Sequence, residues 1–348
     1  MHHPEEYLVS VLMPTRNEAR YIALSLGAVL AQDYPADQLE IFVADGRSTD
    51  GTREIVRDIQ DRHPNVSLID NPGQIVATGL NTALRLARGE IVIRVDGHCE
   101  IAPDYVRRCV EHIKRDAVAG VGGSVETVGE SYTAKAIALA MSSRFGAGDS
   151  AFRVAHGVTR WVDTIPFPAY TRAIVERAGP FDEELVRNQD DEYNYRLRQM
   201  GARLLLAADV RSRYYSRASL GGLWRQYFAY GLWKVRVLQK HPRQMSLRQF
   251  IPPAFVLTLG LGATLAPILP LARLALAYTI ATYLLASLAA SLLVARRGGW
   301  RYLPLLPPIF AIMHTSYGLG FLGGLIKFWN RWGDTIIRAA PFAHKGRS

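Results

Sequence analysis

Polar and apolar positions change rhythm repeatedly along the first part of the chain, and then the polar ones nearly vanish. The segment "YLVSVLMP" (7–14) is a β-branched run closed by proline, whereas "EARYIALSLGAVLAQ" (18–32) carries apolar residues at helical spacing. A second strand is predicted over "LEIFVAD" (39–45), and a helix opened by good capping residues over "STDGTREIVRDIQDRH" (48–63). The pair recurs as "VSLIDNP" (66–72), a helix from about Ile75 to Ala87, and the strand "EIVIRVD" (90–96). Strand then helix, repeated, predicts an α/β fold with a mostly parallel sheet and helices on both faces.

Ligands of open α/β sheets bind outside the carboxyl ends of the strands, where loops present polar groups. Asp45 and Asp96 both stand at such ends, and Pro14-Thr15-Arg16-Asn17-Glu18 follows the first strand. An acid after a strand is also a common turn or cap residue. Three such segments at one edge favour a site. In Asp96-Gly97-His98 the acid offers a hard oxygen, the imidazole a nitrogen two residues on, and the glycine a close backbone approach. A cation on a nucleotide diphosphate needs few protein ligands, because the phosphates supply the rest. Mg²⁺ prefers oxygens alone, while Mn²⁺ tolerates an imidazole.

A second acidic cluster lies in "GPFDEELVRNQDDEYNYRLRQMGARLLLAADV" (179–210). After the turn at Gly179-Pro180 and the acids Asp182 and Glu183, a helix is predicted near Asn188, with Asp190, Asp191 and Glu192 in its first turn. Acids there complement the helix dipole. With Tyr193, Leu197 and Met200 as the buried stripe, they also sit at the helix mouth, where a general base could meet a substrate hydroxyl.

The series "VSVLMPTRNE", "VADGRSTDGT", "VDGHCEI" and "GPFDEELVRNQDDEYNYRLRQMG" resembles the family 2 glycosyltransferases of GT-A fold, among them the membrane-attached enzymes that build succinoglycan-type bacterial exopolysaccharides. The resemblance covers most of residues 7–215. It implies that Pro14, Thr15 and Glu18 line the nucleotide pocket, that Asp45 bonds the base, and that Asp96 contacts the ribose or metal-bound diphosphate. His98 stands where the family most often has a second, metal-binding Asp, so the choice between Mn²⁺ and Mg²⁺ is open. Counted back from Arg196, the family's Glu-Asp pair falls on Gln189 and Asp190, making Asp190 the implied base with Asp191 as fallback. The implied reaction is an inverting displacement of a hexose, UDP-glucose being the favoured donor, with an α-linked donor giving a β-linked product. Within "GVTRWVDTIPFPAYTR" (157–172), which resembles the acceptor-side region, Pro168 replaces a frequent Gly.

The tail carries "PPAFVLTLGLGATLAPILPLA" (252–272), "LALAYTIATYLLASLAASLLVA" (274–295) and "YLPLLPPIFAIMHTSYGLGFLGGLI" (302–326), each of about the ~20 residues a bilayer crossing requires. The opening residues lack the basic start and continuous apolar core of a signal peptide, which puts the head in the cytoplasm. The positive-inside rule then sets Arg296, Arg297 and Arg301 inside. Three full crossings would leave Lys327, Arg331, Arg338, Lys345 and Arg347 outside, so the third run, interrupted by Pro304, Pro307 and Pro308, is expected to re-enter or lie at the interface. The expected organisation is a catalytic head over 1–218, an amphipathic interfacial segment over 219–250 and a membrane domain over 251–348 of a bacterial inner-membrane protein.

Net charge is +10 in 348 residues, with the arginines concentrated toward the apolar tail. No nucleic-acid motif accompanies them, so anionic lipid and a lipid-linked saccharide acceptor are the expected partners. Cys99 and Cys109 fit no zinc or redox spacing and are read as reduced structural thiols. "QYFAY" in the 220–244 stretch does not fit the Gln-X-X-Arg-Trp of polymer-extending relatives, which favours single addition. Two other classes remain open on the sequence. A nucleotidyltransferase would want a Gly-rich basic loop after the first strand, which is missing, and an inactive membrane scaffold would turn over no nucleotide sugar.

Overall fold

A computed structural model describes residues 7–148, 152, 157–216 and 219–333. His2, His3, Arg338, Lys345 and Arg347 lie outside them. The chain forms two compact units, one over 7–126 and 157–214 and the other over 127–148, 152, 215–216 and 219–333.

The first unit is built on a sheet in which β1 (Val9–Thr15), β2 (Leu39–Asp45), β3 (Val66–Asp70) and β4 (Ile91–Arg94) run parallel in the order β3-β2-β1-β4. β1 and β2 are buried at every position, which is why they read as continuous apolar runs. The connecting helices are Ile22–Leu30, Thr52–Gln60 and Val76–Leu86, each shorter than its sequence pattern because the flanking residues form loops. Beyond β4 the sheet turns antiparallel: β8 (Ala169–Thr171) pairs with β4, β6 (Gly120–Val128) with β8, and β9 (Leu204–Tyr215) with both β5 (Cys99–Ile101) and β7 (Arg160–Trp161). This mixed half extends the parallel pattern that the strand–helix alternation predicts. Both cysteines are free and buried, and desolvation pushes their thiols up, out of the reactive range.

The second unit is helical. Helix Leu220–Lys240 runs along helix Leu306–Lys327 so closely that a Cβ at Gly231 would stand 2.0 Å from the Tyr317 carbonyl oxygen, and one at Gly320 2.1 Å from that of Phe228. Buried Arg236 donates to Gln239 Oε1 (2.9 Å) and to the Arg331 carbonyl (3.1 Å), and Gln239 Nε2 donates to the Phe328 carbonyl (2.7 Å), closing the C-terminal end of the partner helix.

The first apolar run forms a helix of only 15 residues, Ile251–Leu265, about 22 Å long and short of the ~30 Å bilayer core. The second forms the 29-residue helix Pro270–Gly298, about 43 Å long, which is hardly buried at all and exposes Leu271, Leu274, Tyr278, Leu285 and Leu293. In the third run Pro307 and Pro308 occupy the first turn of the 22-residue helix Leu306–Lys327, where their missing N–H groups cost nothing. Pro304 falls in the 3-10 turn Trp300–Leu305 just ahead of it, so none of the three prolines interrupts the helix interior.

Candidate active site

Strand register brings the candidate residues to one edge of the sheet. Thr15, Asp45 and Asp70 are level on β1, β2 and β3. Arg94 pairs with Leu12, so Asp96, two residues on, falls beside the end of β1. There a Cβ on Gly97 would meet Thr15 Cγ2 and Glu18 Cγ, each at 3.0 Å, so a larger residue would have to push these two side chains aside by a few tenths of an ångström. Ser25 Oγ holds the turn from within: it lies 2.6 Å from the Cys99 carbonyl and 2.9 Å from that of Asp96, and its single O–H donates between the two.

The loop after β1 is clamped to the loop after β2. Asn17, in the left-handed region at φ 54°, accepts from Thr49 N (2.9 Å) and donates its own N–H to Ser48 Oγ (2.8 Å). Glu18 N donates to Thr52 Oγ1 (2.9 Å) and Ala19 N to Asp50 Oδ2 (3.0 Å). Behind this clamp Asp45 is fully buried, its Oδ2 accepting from Ser48 N (3.0 Å) and Arg53 NH1 (2.9 Å). Asp45 Oδ1 and Thr15 Oγ1 are buried with no hydrogen-bond partner among the described residues. Buried polar atoms are seldom left so; the Asp45 oxygen can accept, and the Thr15 hydroxyl can donate or accept.

Sequence reasoning missed Arg94. Its guanidinium is 10% exposed and forks Asp96, Nε to Oδ1 at 2.8 Å and NH2 to Oδ2 at 3.0 Å, while NH1 lies 3.9 Å from Asp190 Oδ2. Burial alone would raise the Asp96 carboxyl; the charge and hydrogen bonds of Arg94 outweigh it, helped by His98 and Arg187, and hold it below the usual range. An arginine inside "EIVIRVD" was the available signal, since a buried strand rarely carries a charge without a partner.

The predicted helix mouth is present. Helix Gln189–Gln199 starts after Asn188, which is left-handed at φ 63°. Tyr193 and Leu197 are fully buried and Met200 packs on the same core. Arg196 anchors the preceding turn, donating to Ala178 O (2.7 Å) and Pro180 O (2.9 Å) while forking Glu192. Asn194 Oδ1 accepts from Tyr170 OH (2.6 Å), tying the helix to β8 and so to β4. Glu192 is thereby structural, and Asp190 faces Arg94 with half of its side chain exposed. Asp190 Oδ1 accepts from the Asp191 N–H (2.9 Å).

No group of three or more His, Cys, Asp and Glu positioned for a metal occurs among the described residues. The set does fit a cation that takes most of its ligands from a diphosphate. Asp96 keeps lone pairs beyond those Arg94 uses, and His98 Nδ1 lies 2.9 Å from Glu18 Oε1, a pairing that leaves Nε2 as a ligand nitrogen.

Comparison with known proteins defines the family. The model described as "Glycosyl transferase family 2" matches residues 10–176. The chain is 31% identical over 323 residues to "Succinoglycan biosynthesis protein ExoA" of Rhizobium meliloti (strain 1021), covering 92% of this chain and 96% of that one. It is 26% identical to "Dolichyl N-acetyl-alpha-D-glucosaminyl phosphate 3-beta-D-2,3-diacetamido-2,3-dideoxy-beta-D-glucuronosyltransferase" of Methanococcus voltae, over 92% of this chain and 97% of the relative. Among solved structures, "Mannosyltransferase PcManGT from Pyrobaculum calidifontis in complex with GDP-Man and Mn2+" superposes with a TM-score of 0.57 at 24% identity, covering 93% of this chain and 88% of that one. The fold is thus that of the GT-A glycosyltransferases. The chain belongs to glycosyltransferase family 2.

Proposed function

We propose that this glycosyltransferase moves a hexose, with UDP-glucose the favoured donor, onto a lipid-linked or polysaccharide acceptor at the cytoplasmic face of the bacterial inner membrane. The observation that carries the reading is the meeting of Asp96 and Asp190 at one buried guanidinium, on the strand-end edge that also holds Asp45. Thr15 Oγ1, a hydroxyl, and Asp45 Oδ1, a carboxylate oxygen, both buried without partners among the described residues, would meet the nucleotide, Asp45 Oδ1 suiting a base N–H. Pro14, beside Thr15 on β1, and Glu18 in the loop that follows would complete the nucleotide pocket. Asp96 and His98 would hold Mn²⁺ or Mg²⁺, which neutralises the departing diphosphate when bound.

Asp190 takes the proton of an acceptor hydroxyl, whose oxygen forms a bond to the anomeric carbon as the bond to the diphosphate oxygen breaks. Single displacement inverts the anomeric configuration. Arg94 and Arg187 add fixed positive charge around the acids. Relatives named for succinoglycan biosynthesis and for glycosylation of a dolichyl phosphate sugar support an acceptor carried on lipid. Membrane attachment is assigned to the part from 219 onward: helix Pro270–Gly298 presents an apolar surface suited to lipid, and Arg296 and Arg297 in its last turn suit anionic headgroups.

The test is a panel of nucleotide sugars offered to detergent-solubilised enzyme with Mn²⁺, Mg²⁺ or EDTA, scored by release of free nucleoside diphosphate. One hexose donor is expected to turn over, and only with a cation present. Equal turnover in EDTA would remove Asp96 and His98 from the proposed role.

A further inference from the structure

We infer that Arg94 is a positioning residue of this reaction, the buried cation that sets the separation of the donor-side acid Asp96 from the acceptor-side acid Asp190. The inference rests on Asp190 being the base. Both ion pairs of Arg94 among the described residues go to site carboxylates. Arg196, by contrast, is held by two backbone carbonyls beside its one carboxylate, as expected of an arginine that staples a turn.

The two acids come from separate elements. Asp96 sits in the turn after β4, and Asp190 in the first turn of a helix nearly a hundred residues later. The backbone of that helix is tied to the sheet independently, through Tyr170 and Asn194. What remains undetermined by the backbone is where two like-charged side chains point. Unscreened, they would turn away from one another. A guanidinium answers this in a way an ammonium does not: its planar fork takes both oxygens of Asp96, and the geometry of the plane then dictates where its remaining nitrogen faces Asp190. A displaced base costs rate steeply, about a hundredfold for a shift of ~1 Å in favourable cases.

The consequence is a division of effects. Loss of the fork should fall on the chemical step through Asp190, while at saturating cation donor binding, which Asp96 shares with Asp45, Thr15 and His98, should change less. Arg94→Lys keeps the charge and removes the fork, and it is compared with Asp190→Asn and with the double variant under donor saturation. Arg94→Lys is expected to lower kcat about tenfold or more with donor KM within about threefold of wild type. The double variant is expected to be within about threefold of Asp190→Asn alone, because no base remains to be placed. Losses in kcat that multiply, or a donor KM that rises as far as kcat falls, would overturn the inference and leave the base assignment standing. An Asp190→Asn enzyme with wild-type kcat would overturn both. If Arg94→Lys and Arg94→Met each lose cooperative thermal unfolding, Arg94 is needed for the fold itself and the inference is also overturned.

Discussion

His98 Nδ1 and Glu18 Oε1 are 2.9 Å apart, so an acid from the loop after β1 orients the imidazole that follows β4. With the proton on Nδ1, Nε2 is the nitrogen that carries a free lone pair, the arrangement that partner carboxylates impose on metal-binding imidazoles. Glu18→Gln keeps the size and loses the charge. It is expected to weaken Mn²⁺ roughly 10–100-fold. Titrating Mn²⁺ in the presence of nucleoside diphosphate, by paramagnetic resonance of the free ion, reads this without turnover. Unchanged affinity would dissociate His98 from the cation.

Asp45 presents one satisfied and one unsatisfied carboxylate oxygen in full burial. If the free one accepts from the nucleotide base, Asp45→Asn substitutes a donor where an acceptor is needed. Donor KM should rise about tenfold or more, a loss of ~1.4 kcal/mol, with kcat within a few fold. A drop confined to kcat would place Asp45 at the chemistry instead.

Glu40 gives the fold a pH dependence distinct from that of the site. Its carboxylate accepts from Ser10 Oγ (2.6 Å), from Arg88 through both backbone and side chain, and from Gly89 N (3.1 Å). Burial would raise its pKa, and these bonds together hold it below the ordinary carboxylate value. The folded value lies under the unfolded one, so the stabilisation is present above an unfolded pKa of about 4.3 and fades as pH falls through the folded value. Glu40→Gln should therefore be less stable by ~1–3 kcal/mol at neutral pH, with the gap narrowing below about pH 4 in denaturant melts. A gap independent of pH would assign the loss to packing.

Helix Pro270–Gly298 is long enough to cross a bilayer, and its faces are apolar all round. Exposed Ile268→Cys and Trp300→Cys bracket it, and native Cys99 and Cys109 are too buried to compete for a label. In sealed vesicles an impermeant maleimide should label the two positions from opposite sides. Labelling of both from one side would mean that the helix lies along the surface.

Much of this architecture was legible because period and burial coincide. β1 and β2 are buried throughout and read as apolar runs, and Tyr193, Leu197 and Met200 marked the inner stripe of the helix carrying Asp190. The antiparallel strands were not legible: β5, β7 and β8 are two or three residues each, too short for any alternation to show, and their register depends on partners far along the chain. Among site residues, those at strand ends announced themselves by position. Arg94 did not, since a charge within an apolar strand acquires meaning only once its partners, one of them nearly a hundred residues away, are known. The 15-residue length of helix Ile251–Leu265 was hidden too, because hydropathy continues past Leu265 where the helix stops.

The central claim is that Asp190, facing Arg94 and Asp96, removes the acceptor proton, and that its neighbour Asp191 does not. Initial rates of glycosyl transfer by Asp190→Asn and Asp191→Asn, each at saturating donor and acceptor, measure it directly. The account predicts a fall of about 10²–10⁴ for Asp190→Asn and a rate within a few fold of wild type for Asp191→Asn. Near-normal transfer by Asp190→Asn, with the loss appearing in Asp191→Asn, would contradict it.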